Sequence, residues 1–96
     1  MLTSCGKLVV HVDANYVGVW NGTNGTCTYK LSIDHLSEGY WVKTAGNADE
    51  IAQGVARVHN GYLDIGLRHF KINELPTVDT TNTWTMVLSG ITYTRN

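Results

Sequence analysis

The chain has 96 residues, of which 43% are hydrophobic and 16% charged, and its formal net charge at pH 7 is −1. That length predicts a single β domain over residues 1–96, long enough to bury a core without staples. The low, balanced charge argues against nucleic-acid binding, which needs a basic patch, and no apolar run approaches the roughly 20 residues of a membrane-spanning helix.

Leu2-Thr3-Ser4-Cys5 has the form of a lipoprotein cleavage box, but no apolar segment precedes it and no signal peptide is predicted. Residues 7–13 (KLVVHVD) and 16–20 (YVGVW) read as strands paired across Ala14-Asn15, with Val12 facing Val17 and Val10 facing Val19. Residues 21–26 (NGTNGT) read as a turn-rich loop. Residues 27–34 (CTYKLSID) alternate, with Cys27, Tyr29, Leu31 and Ile33 on one face, as a half-buried antiparallel strand requires. Residues 40–44 (YWVKT) form a short strand between two turns.

The clearest signal is residues 50–72. Asn60-Gly61 separates two alternating runs, and Asn-Gly is the preferred pair for a type I′ turn because both central residues need positive φ. The register follows: His59 faces Tyr62, Val58 faces Leu63, Arg57 faces Asp64, Ala56 faces Ile65 and Val55 faces Gly66, continuing to Gly54 with Leu67 and Gln53 with Arg68. Ala56, Val58, Leu63, Ile65 and Leu67 then share the core face, and Arg57, Asp64, Gln53 and Arg68 the other. A pair such as Arg57–Asp64 contributes about 0.2–1 kcal/mol. The pattern breaks near Arg68-His69, where a bulge is expected. Residues 48–59 also admit a helix, with Ile51, Val55 and Val58 at helical spacing, but Gly54 and the following Asn-Gly favour a strand.

Residues 73–82, which hold the single proline, read as a crossing loop, and residues 83–94 as a last strand with a bulge at Gly90. About seven short strands with turn signals predict an all-β fold, a small antiparallel sandwich or barrel.

The candidate chemistry is sparse. Cys5 and Cys27 are close in the predicted register, so a disulfide is geometrically allowed; its loop of about 23 residues would be worth roughly 3 kcal/mol. Without an export signal, two reduced thiols are preferred. His11 with Asp13, and His35 with Asp34 and Glu38, are the histidine groupings nearest to metal spacing, but neither is diagnostic, and no metal or cofactor is predicted. No nucleophile or phosphate-binding motif is present, and nothing brings Asp64 together with Asp34 or Glu74 as a carboxylate pair, so the chain reads as a non-enzyme. Asn21 and Asn24 match glycosylation sequons but serve as turn residues in the absence of export.

Aromatic residues are the remaining clue. Two readings follow. In the first, the chain is a structural assembly protein that meets protein partners, most simply copies of itself, through strand edges and a Tyr-bearing surface. Tyr62, Arg57, Trp41 and Arg68 are its candidate interface residues, because Trp, Tyr and Arg carry most interface energy. In size and composition this general type resembles small virion proteins of tailed phages, such as capsid decoration or tail proteins. The resemblance implies a place in the virion or, during assembly, in the host cytoplasm. In the second reading Tyr40, Trp41 and Tyr62 form a carbohydrate platform.

Overall fold

The computed structural model describes residues 12–95. The predicted strand over residues 7–13 lies mostly outside them, as does Cys5. Eight strands follow one another: β1 (Gly18–Asn24), β2 (Cys27–Ile33), β3 (Glu38–Ala45), β4 (Ala48–His59), β5 (Tyr62–Ile65), β6 (Arg68–Val78), β7 (Trp84–Leu88) and β8 (Ile91–Arg95). Each pairs antiparallel with the next, and β8 pairs back onto β1, so the sheet closes into an up-and-down barrel. Closure gives every strand two neighbours and removes the open edges through which strands aggregate.

Two-residue turns do most of the connecting. At Asn60-Gly61 both φ angles are positive (52° and 80°), the type I′ geometry that Asn-Gly favours, and the predicted register holds from His59↔Tyr62 to Ala56↔Ile65. Ser89-Gly90 has the same signs (49° and 81°). Residues 83–94 are therefore a hairpin, Leu88 facing Ile91, and not one bulged strand.

Four further sequence expectations are corrected. Ala14–Tyr16 is a short 3-10 turn, capped by the Asp13 carboxylate accepting from the Asn15 N–H, in place of a hairpin turn. β1 runs through Asn24, so the expected loop at 21–26 contracts to Gly25-Thr26. The pairing of β4 with β5 ends at Ala56↔Ile65, because the chain turns at Gly66-Leu67 and returns as β6, with Asp64 now facing His69. That turn replaces the bulge expected at Arg68-His69. Finally, residues 73–78 belong to β6, which meets β7 with register shifts between Ile72 and Glu74 and between Glu74 and Thr77. Pro76 lies in the second irregularity, the kind of place to which a residue without an N–H is confined in a sheet.

Alternation sorts the barrel into inside and outside. Trp20, Leu31, Leu63, Ile65, Met86 and Leu88 are fully buried, each worth about 1.5–3 kcal/mol by its apolar area. Tyr29, Trp41, Phe70 and Tyr93 stack through the interior: Trp41 and Phe70 centroids are 5.0 Å apart, and Tyr29 meets Tyr93 edge-on at 6.1 Å. The buried Trp41 Nε1–H donates to the Tyr93 hydroxyl at 3.0 Å. Burial raises the Tyr93 hydroxyl pKa, against the opposing pull of the Trp41 hydrogen bond. Val58 and Leu67, expected in the core, are exposed. Val58 lies at the far end of β4, and Leu67 sits in a turn.

β4 is the longest strand and serves two neighbours. Ala48–Val55 pair with β3, whereas Ala56–His59 pair with β5. Past Val55 the chain thus exchanges β3 for β5 as its neighbour, and Ala56, Leu63, Ile65 and Phe70 pack this part of the wall on the common core.

Candidate functional site: the outer face of the long hairpin

Because Ala52 and Ala56 point inward on β4, Ile51, Gln53, Val55, Arg57 and His59 point outward. Ile51 and Val55 are half exposed there. The β5–β6 turn folds back against this row, where the Gly66 N–H donates to the Val55 carbonyl at 3.1 Å. It sets Leu67 beside the row with 98% of its surface exposed. Ile51, Gln53 and Leu67 border a shallow recess of about 330 Å³. The outer surface here thus carries Ile51, Val55 and Leu67 among the polar Gln53, Arg57 and His59.

Further along the same face sits Asp64, with 2% of its side chain exposed. Arg57 lies directly opposite it, as the register requires. The carboxylate nevertheless takes its hydrogen bonds from two histidines. His59, diagonal on β4, brings Nε2 to 2.6 Å of Oδ2, and His69, opposite on β6, brings Nδ1 to 2.5 Å of Oδ1. Burial pushes the Asp64 pKa up, but the hydrogen bonds and charges of His69 and His59 together outweigh it, and the carboxyl is held below its ordinary range. The Tyr62 ring meets the His69 ring edge-on at 6.5 Å. Among the described residues this is the group of histidine, cysteine and acidic side chains whose ligand atoms converge, all within 4.8 Å of one another.

Compared with known proteins, the chain matches no family model, no curated sequence and no solved structure.

The residues singled out in the sequence divide between surfaces. Tyr62 and Arg57 lie on the outer face just described, exposed. Trp41 does not: it is 2% exposed, inside the barrel, and offers no face to a partner or a sugar. Arg68 shares the inward parity of Phe70, because the Gly66-Leu67 turn resets the alternation. Its guanidinium covers the Trp41 ring at 4.7 Å and pairs with Glu50 across the barrel mouth. Tyr40 is half exposed on the outside of β3, opposite Gln53 of β4 and Ser32 of β2. Asp34 caps its own turn, accepting from the Leu36 and Glu38 N–H groups, and Glu74 faces Val87, so neither forms a pair with Asp64. Cys27 begins β2, half-buried; its pairing with Cys5 lies outside the described residues.

The His59–Asp64–His69 cluster was missed in the sequence. Its signal is an interval of five residues repeated twice. Two-residue turns within both intervals stack the three residues side by side, and of the two only Asn60-Gly61 carries a turn signature in the sequence.

Proposed function

We propose that this chain is a non-enzymatic assembly protein that self-associates through the outer face of β4 and β5, with Ile51, Val55 and Leu67 at the apolar centre and Arg57 and Tyr62 flanking them. The observation that carries this reading is Leu67, a large aliphatic side chain 98% exposed beside two further outward aliphatic residues. Scattered exposed apolar residues are ordinary, but a contiguous group of them bordered by polar side chains marks a contact surface. A net charge of −1 offers little repulsion between copies. Ring closure moves the expected contact from strand edges to side chains. A standard interface hides about 1,600 Å² in total, with a few central residues carrying most of the energy. A virion subunit is one setting for such a protein.

The test is the mass of the purified chain by light scattering after size exclusion, beside L67E and I51E. The expected result is a dimer or larger species for the parent chain and a monomer for L67E with an unchanged melting curve, since a substitution at so exposed a position alters folding by only about 0.5 kcal/mol. A parent chain that stays monomeric at its highest attainable concentration, or an L67E variant of unchanged mass, overturns the reading.

A further inference from the structure

His59, Asp64 and His69 stand on three adjacent strand segments, and the carboxylate of the middle one is buried between two exposed imidazoles. We propose that His59 Nε2, His69 Nδ1 and the Asp64 carboxylate form a binding site for a divalent first-row transition-metal ion, with Zn²⁺ the occupant that fits best. The proposal is independent of self-association.

The donor set selects the class of ion. Two imidazole nitrogens and one carboxylate oxygen suit Zn²⁺, Co²⁺ or Ni²⁺, whereas Mg²⁺ and Ca²⁺ demand oxygen ligands throughout. The spacing fits as well. Zinc bonds of about 2.0–2.1 Å place tetrahedral ligand atoms about 3.3 Å apart. The two histidine–carboxylate contacts, at 2.6 and 2.5 Å, thus open by under about 1 Å when an ion enters. Rotation of the exposed imidazoles accommodates that without moving the strands. The ligand atoms already converge within 4.8 Å, so no backbone rearrangement is needed to gather them.

Electrostatics favours an occupant. A carboxylate buried this deeply requires compensating positive charge or a full set of hydrogen bonds. The two histidines supply one contact to each oxygen, and a dication supplies charge directly. Both imidazoles are about half exposed or more, so the fourth tetrahedral position faces solvent and takes water. The Tyr62 ring stands edge-on to that of His69, with 6.5 Å between the centroids. Arg57 is exposed on the same face, and its long side chain can turn its charge into solvent.

The experiment is equilibrium dialysis of the untagged full-length chain against micromolar Zn²⁺, together with the visible absorption spectrum of the Co²⁺-loaded chain. The expected result is one ion per chain and the intense absorption of four-coordinate cobalt. H59A and H69A should each bind at least about tenfold more weakly, since losing even an outer-shell partner costs about 10–100-fold. H35A should bind like the parent chain. Each histidine also bonds the buried Asp64 carboxylate, so H59A and H69A should lower the metal-free melting temperature; far-UV circular dichroism that matches the parent chain below that temperature separates loss of a ligand from loss of fold. The proposal is overturned if the parent chain retains no Zn²⁺, or if the H59A/H69A double variant retains as much as the parent.

Discussion

Gly54 of β4 and Gly66 of the β5–β6 turn meet back to back. A Cβ added to Gly54 would lie 2.7 Å from the Gly66 Cα, and one added to Gly66 would lie 2.4 Å from the Gln53 carbonyl oxygen. Both also have positive φ, 148° and 60°. This contact lets the turn fold flat against β4, and so it holds Leu67 beside Val55 and Ile51.

Gly54→Ala and Gly66→Ala should therefore each destabilise the fold by more than about 1 kcal/mol, since strain adds to a backbone clash that no side chain can relieve. Gly25→Ala meets no neighbour within 4 Å and should cost only the positive-φ penalty. Urea midpoints of the three variants check the order. Equal midpoints for G66A and G25A would contradict it.

Tyr93→Phe removes the acceptor of the buried Trp41 Nε1–H. An orphaned buried donor costs about 1–3 kcal/mol, more than the hydrogen bond itself contributes. The expected fall in stability is in that range with little change in volume. Thermal unfolding of Y93F measures it, and a loss below about 0.5 kcal/mol would mean that water replaces the hydroxyl.

Arg95 lies over two indoles, 4.8 Å from the Trp20 centroid and 4.9 Å from that of Trp84, and its Nη2–H donates to the Asn15 carbonyl. Arg95→Lys keeps the charge but loses the planar group that stacks and reaches Asn15. A loss of about 1 kcal/mol and a change in tryptophan fluorescence are expected. An unchanged spectrum and midpoint would show that charge alone suffices.

At the β6–β7 turn the Asp79 Oδ1 accepts from the Thr81 hydroxyl and from the Thr83 and Thr81 N–H groups. The Thr81 hydroxyl, then these backbone donors, hold its carboxyl below the ordinary range. A folded-state value below the unfolded one means that the carboxylate stabilises the fold above the ordinary range and stops doing so as pH falls through the folded value. The stability difference between the parent chain and D79A should therefore shrink as pH drops below about 4. A difference independent of pH would assign the effect to packing.

What could be read in the sequence follows from how strongly each element is specified. Asn60-Gly61 fixed a register because few other pairs accept two positive φ angles, and period-two alternation in residues 27–33 named a core face that the barrel uses. Gly66-Leu67 was hidden because an aliphatic residue in a turn looks like the next core position, and reading through it carried Arg68 to the wrong face. Ser89-Gly90 shifts parity as a bulge would, so one hairpin read as one strand. In residues 73–78 the two register shifts erase the alternation altogether. The histidine–aspartate cluster went unseen for the same reason as the second turn: without that turn, His69 has no reason to approach Asp64.

The contact surface is tested most directly by methyl NMR spectra of the parent chain across a dilution series. Self-association through the outer face predicts that Ile51, Val55 and Leu67 methyl resonances shift with concentration while the buried Leu31, Leu63 and Leu88 do not. Spectra in which all of these methyls stay fixed at every concentration would contradict it.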